Sequence, residues 1–311
     1  MPATTRNTGF RSGEHSLAAV LHLPEGFEES RRHPCLLLAT PGSSVKEQVA
    51  AIYGARLAAR GFVVLAFDPS CQGASEGLPR GLEDPALRVA DLLAAADHLA
   101  TLPFVDAGRI GLLGICAGGG YAVRAALTDR RFRALATVVG SNIGAAFRTM
   151  LSPQARSELL DEVARQRRAE ARGAPPRQEP WIPDSLAEAH AQGVSDPDLL
   201  QAVAFYREPP WRHENSTNRL HFTSFAHILA FDGFHLVPEL LAQPLLVIAN
   251  GRRGETRAHE QSRALFDMAP GPDKAFHVVE GAGHYEMYHV DAHVSEAVEH
   301  LDGFFTSRLA A

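Results

Sequence analysis

Gly114-Ile115-Cys116-Ala117-Gly118 follows the apolar run Arg109–Leu113 and leads into a helix-forming stretch. A residue at the apex of so sharp a strand-to-helix turn is pushed outward. The turn closes only if the residues two before and two after it lack side chains. Gly114 and Gly118 stand at those two positions. The apex residue is a cysteine. The turn aims its thiol at a helix N-terminus, where free N–H groups and the helix dipole favour a thiolate. The pentapeptide therefore predicts a sulfur nucleophile at Cys116. The bland alternative is a small buried hydrophobe, the ordinary fate of a free cysteine.

Around this turn, strand-like and helical segments alternate, the pattern of a mostly parallel sheet with helices on both faces. Phe10–Arg11 and Ser16–Leu23 read as an opening hairpin, and Cys35–Ala39, Phe62–Phe67 and Leu135–Val139 as strands. Ser44 with Glu47 reads as a capping box before a helix carrying Val49, Ile52, Tyr53 and Leu57. Asp84-Pro85 reads as the start of another helix. From about Gly144 to Leu240 the rhythm breaks into helical, polar sequence with Pro-rich joints; strands return at Pro244–Ala249 and Ala275–Val279. The expected organisation is an α/β core, residues 1–143 and 241–311, with residues 144–240 inserted as a helical cap.

The chain has 311 residues, 45% hydrophobic and 21% charged, with net charge −6. This composition is ordinary for a globular protein and argues against a nucleic-acid partner. No apolar run reaches a membrane span, and Met1–Gly13 lacks the apolar core of a signal peptide. Cys35, Cys71 and Cys116 are too sparse and odd in number for a disulfide framework, so a cytoplasmic location is expected.

Attack on an acyl carbon needs a base and a group that orients the base. His284, in Gly281-Ala282-Gly283-His284 directly after the last strand, is the histidine candidate. In Asn250-Gly251-Arg252-Arg253-Gly254-Glu255 the carboxylate is Glu255, with Glu260 as its nearest rival. The oxyanion donors expected are the N–H groups of Ala117 and Ser43, with Gly42 and Ser44 as rivals for the second. Asp68 precedes the nucleophile and reads as a loop anchor through an Asx-type turn. Cys71, Trp211, Phe231 and His235 are expected to touch substrate; the insertion's other aromatics divide between its core and an apolar pocket. Gly118-Gly119-Gly120 lacks the Lys-Ser/Thr of a phosphate loop. Arg165, Arg167, Arg168 and Arg172 read as a solvated helix face or, more sharply, a dock for an acidic carrier or a CoA phosphate. His289 and His293 have a metal-binding spacing but no third ligand in the sequence, so neither a metal nor a cofactor is expected.

With these residues in view, the chain resembles the dienelactone-hydrolase-like branch of the α/β-hydrolases. Within it, the chain is similar to a bacterial and fungal subgroup of esterase-like proteins and polyketide acyltransferases. The matching stretches are Val45-Lys46-Glu47-Gln48, Leu65-Ala66-Phe67-Asp68, Gly114 to Tyr121, Phe231-Asp232-Gly233-Phe234-His235 and Gly281 to His284. The resemblance implies an α/β-hydrolase fold and a Cys-acid-His triad at Cys116, Glu255 and His284. Three positions depart from it: Glu255 stands where the family usually has aspartate, Cys71 where it commonly has tyrosine, and Thr40 where it commonly has histidine.

The chemistry expected is cleavage of an ester, lactone or thioester through an acyl-cysteine. The alternative is transfer or cyclisation of a polyketide-like acyl chain onto an alcohol, amine or carbon acceptor. A rival of another class is a non-catalytic small-molecule binding protein on the same fold. The expected partner is a small acyl substrate, free or borne on a carrier protein or CoA; a homodimer is compatible with the sequence.

Overall fold

An antiparallel hairpin opens the chain in this computed structural model, which describes residues 4–310. Its strands are β1 (Thr4–Ser12) and β2 (His15–Leu23), followed by β3 (His33–Ala39), α1 (Val49–Ala58), β4 (Val63–Phe67), α2 (Pro85–Thr101), β5 (Val105–Ile115), α3 (Ala117–Thr128) and β6 (Phe132–Val138). The insertion then carries α4 (Ile143–Met150), α5 (Pro153–Glu170), β7 (Gln178–Pro180), α6 (Leu186–Ala191), α7 (Pro197–Arg207), β8 (Arg219–His221), α8 (Ser224–Ala230) and α9 (Val237–Leu240). The core resumes with β9 (Leu245–Asn250), α10 (Ala258–Met268), β10 (Lys274–Val279), α11 (Glu286–His289) and α12 (Asp291–Arg308).

Eight strands form one sheet in the order β1-β2-β4-β3-β5-β6-β9-β10. The run from β4 to β10 is parallel, and only β1 and β2 run against their neighbours. This topology positions the chemistry, because the loops leaving β3, β5, β9 and β10 all emerge at the same sheet edge. Both faces of the sheet's centre are covered, so β4 and β9 are buried along their whole length rather than alternating. In β3, Leu36 and Leu38 pack into the core layer with Tyr53, Leu301 and Phe305, while Cys35 and Leu37 pack into the layer with Leu92, Leu99 and Val123.

Local sequence explains most element boundaries. Asp84 caps α2 by accepting from Ala86 N–H at 2.8 Å, with Pro85 as the first helical residue. The expected capping box at Ser44 does not form: α1 begins only at Val49, and Ser44 Oγ has no partner. Gln48 takes over that loop, its Oε1 accepting from Val45 N–H at 3.3 Å and its Nε2 donating to Trp211 O at 3.1 Å. Val45-Lys46-Glu47-Gln48 is thus a loop clasp and an anchor for the insertion, not the first turn of a helix.

Candidate active site

Cys116 ends β5 and precedes α3 with φ 55 and ψ −126, a left-handed conformation that costs a non-glycine residue about 1–3 kcal/mol. The flanking glycines make it possible. A Cβ on Gly114 would lie 2.5 Å from Gly118 O, and one on Gly118 would strike the Ala39 carbonyl. Cys116 N–H donates to Val138 O at 3.1 Å, and Cys116 O accepts from Ser141 N–H at 2.8 Å. The apex is therefore held from both sides.

The half-buried Cys116 opens onto a cavity of about 480 Å³. Ile143, Phe147 and Met150 of α4 line it together with Trp181, Ile182, Leu199 and Tyr206. His284, Tyr285 and Tyr288 line the same cavity from the loop after β10 and from α11. Tyr53 Oη donates to Met287 O at 2.8 Å, which pins α11 to the core.

Burial raises the Cys116 thiol above its ordinary range; the Tyr288 hydroxyl, the Ala117 N–H and the Arg88 charge oppose it without winning. The expectation of a resting thiolate is corrected here. The helix N-terminus is present, but burial of the sulfur outweighs it. His284 is 1% exposed, and burial lowers it to about 3, so its imidazole is neutral. At rest the two side chains are a thiol and a neutral imidazole. Tyr288 bears on both: its hydroxyl lies 3.0 Å from His284 Nε2 and lowers the thiol by hydrogen bonding.

Glu255 is exposed at the rim of the cavity, and the structure does not join it to His284, whose Nδ1 has no partner. The loop after β9 leans instead on Asp198 of α7. That buried carboxylate accepts from Thr256 Oγ1 at 2.7 Å and from Thr256 N–H at 3.3 Å, and a Cβ on Gly254 would collide with it. Sequence reading missed Asp198 because its partners lie more than fifty positions away. Glu260 also lines the cavity, and the 3.4 Å contact of its Oε1 is to Arg253.

Ala117 N–H, at the first position of α3, has no intrahelical acceptor available to it. Ser43 has φ 63 and lines the cavity with Gly42, while Ser44 N–H is occupied by Pro41 O at 3.4 Å. A buried charged network backs this loop. Arg88 Nη2 donates to Pro41 O at 2.8 Å, Arg88 Nε to Glu83 Oε1 at 2.9 Å, and Tyr121 Oη to the same oxygen at 2.6 Å. Asp68 anchors its own loop through Ala74 N–H at 2.9 Å and also holds Lys46 N–H at 2.8 Å and Nζ at 2.9 Å.

The four residues expected to touch substrate do not line this cavity. Cys71 lines a smaller neighbouring one with Gln72 and Arg80. Trp211 stacks on Phe205 at 6.1 Å between ring centroids, because the insertion needs its own aromatic core. Phe231 packs on Tyr121 at 5.7 Å, and His235 is exposed. Their segment is a clamp: Asn142 Nδ2 donates to Asp232 Oδ1 at 2.7 Å, and a Cβ on Gly233 would lie 2.7 Å from Gly120 O. The pocket residues that were not singled out, Ile143, Phe147 and Met150, share one side of α4; their i, i+4 and i+7 spacing was the available signal.

Comparison with known proteins agrees with this fold. The family described as Alpha/beta hydrolase family matches residues 36–299. Uncharacterized protein YcjY of Escherichia coli (strain K12) is 37% identical over 295 residues, covering 94% of this chain and 95% of that protein. Thiohydrolase aneE of Aspergillus aculeatus is 29% identical over 246 residues, 78% of this chain and 76% of that protein. The crystal structure of hypothetical protein PA2218 from Pseudomonas aeruginosa superposes with a TM-score of 0.86 at 27% identity, covering 98% of this chain and 94% of that one. Among the described residues no helix is long and apolar enough to cross a membrane. The chain belongs to the alpha/beta hydrolase family and is an enzyme of the hydrolase or acyltransferase type.

Proposed function

We propose that the protein is a cytoplasmic, dienelactone-hydrolase-like acyl-transfer enzyme that cleaves an ester, lactone or thioester through an acyl-Cys116 intermediate, with residues 144–240 as its cap. The observation that carries this reading is the strained Cys116 opening onto an apolar cavity shared with a neutral, buried His284. The thioester specificity is favoured by the resemblance to a thiohydrolase.

The chemistry starts from neutral partners. Cys116 Sγ attacks the acyl carbon as its proton passes to His284 Nε2 by way of the Tyr288 hydroxyl, which sits 3.0 Å from that nitrogen. The Ala117 and Ser43 N–H groups receive the oxyanion, and the buried Tyr206 hydroxyl, which has no partner, offers a further donor at the cavity wall. The protonated His284 then returns its proton to the leaving alcohol or thiol. Water, activated by the same imidazole, resolves the acyl-cysteine. For the imidazolium, Nδ1 needs a carboxylate; the loop after β9 offers Glu255 at the rim and Asp198 behind Thr256. Glu255→Gln and Asp198→Asn separate them, since only the true orienting group lowers kcat with KM retained.

The second reading changes only the acceptor. Met150, which lines the cavity, is 73% exposed, so the cavity communicates with solvent and an alcohol or amine can reach the acyl-enzyme in place of water. Product analysis with acyl thioesters, with and without added alcohols and amines, decides between them. Free acid in every mixture supports the hydrolase, and an ester or amide formed ahead of acid supports the transferase. No turnover of any ester or thioester would contradict both and leave a binding protein.

A further inference from the structure

The metal spacing legible in the sequence, His289 and His293, is not where histidines converge. His289 Nδ1 is taken by Tyr285 O at 3.1 Å, and its ring packs on Phe205 at 5.3 Å. One turn further along α12, Glu296 and His300 stand four apart on one helix face, where side chains at i and i+4 meet. The neighbouring strand β10 supplies a third group. Phe276 packs on Phe266 of α10, so alternation turns His277 to the opposite face, toward α12.

There the three side chains meet. His277 Nε2 lies 2.8 Å from Glu296 Oε1, and the rings of His277 and His300 stack at 3.6 Å between centroids with 26° between planes. One nitrogen from each imidazole and one carboxylate oxygen all lie within 4.8 Å of one another. Around a tetrahedral zinc with bonds of about 2.0–2.2 Å, ligand atoms stand roughly 3.3–3.6 Å apart, so the two rings would turn out of their stack to aim both nitrogens at one ion. The ligand types also agree: two imidazoles and one carboxylate suit a divalent first-row transition ion, whereas calcium and magnesium require oxygen. Glu296 remains 43% exposed, which leaves an entry path and room for water to complete the coordination.

We propose that His277, Glu296 and His300 form a binding site for a divalent transition ion, zinc foremost, that clips the last strand to the C-terminal helix. No residue of this site lines the cavity around Cys116, so the proposal is independent of the acyl chemistry.

The experiment uses the full chain after chelator treatment, titrated with zinc chloride by calorimetry and with cobalt chloride by visible absorption. Thermal melts with and without zinc accompany both titrations. The expected result is one equivalent of zinc, tetrahedral cobalt bands and a higher melting midpoint with metal. All three should be lost in His277→Ala and in His300→Ala, and affinity should fall ~10-fold or more in Glu296→Gln. Circular dichroism of the metal-free variants checks that they fold. Cys116→Ala, which removes a competing thiol, should bind as the wild type does. Absence of stoichiometric binding, or binding that survives both histidine substitutions or disappears with Cys116→Ala, would overturn the proposal.

Discussion

Cys116 and Cys71 look alike locally and differ in everything that matters for reactivity. Both follow strands of the parallel run at the same sheet edge, both have positive φ (55 and 69), and burial raises both thiols. Cys71, however, is 1% exposed and closes its own loop, its N–H donating to Glu76 O at 2.8 Å and its carbonyl accepting from Gly81 N–H at 2.9 Å. A Cβ on Gly77 would lie 2.7 Å from its sulfur. Cys116 opens onto the cavity beside Tyr288 and His284. Backbone strain and a strand-end position therefore do not make a nucleophile. What sets Cys116 apart is a neutral imidazole lining the same, larger cavity.

The largest effect should come from removing the two thiols separately. Cys116→Ala is expected to lower acyl turnover by ~1,000-fold or more, and Cys71→Ala to leave it within about threefold, measured as kcat/KM on one thioester. Next is the network shared by both loops. Glu83 accepts from Gln72, beside Cys71, at 2.6 Å and from Arg88, which holds the loop at Pro41, at 2.9 Å. Glu83→Ala leaves a buried guanidinium unpaired and should cost about 3–5 kcal/mol in urea unfolding. Tyr288→Phe should lower kcat/KM by ~10–100-fold with a native melting profile, because it removes the hydroxyl between base and thiol. A wild-type rate in that variant would mean that His284 reaches Cys116 without help.

The smallest effect is on pH dependence. Burial lowers His284 to about 3 and His22 to about 4. Both lie below the unfolded value of roughly 6.5, so the unfolded chain takes up these protons first as pH falls. Their contribution to stability is complete above pH ~6.5 and declines toward pH ~4 by up to about 1.4 kcal/mol per unit for each group. Melting midpoints across that window report it. Acylation should show no titration step near 6.5, since the base stays neutral; such a step would contradict the burial of His284.

The parts of this molecule legible in sequence are those set by local rules. The glycines around Cys116, Asp84-Pro85 at the head of α2, and the strand before each functional loop follow from turn and cap chemistry within a few residues. The pocket was less legible. Trp211 and Phe231 looked like pocket residues because they are aromatic, yet what decides between lining and packing is the fold of the insertion. The ionisation state of Cys116 was misjudged for a similar reason. A helix N-terminus can be seen in sequence, whereas desolvation depends on how the folded chain buries the sulfur. Asp198 and the cluster of His277, Glu296 and His300 are brought together only by tertiary packing.

The most direct test is peptide mapping of enzyme quenched during turnover of a short-chain acyl thioester. An acyl group on the peptide bearing Cys116, absent from Cys116→Ala and lost on standing in water, is the predicted result. An unmodified Cys116 peptide alongside continuing, undiminished turnover by Cys116→Ala would contradict the covalent account.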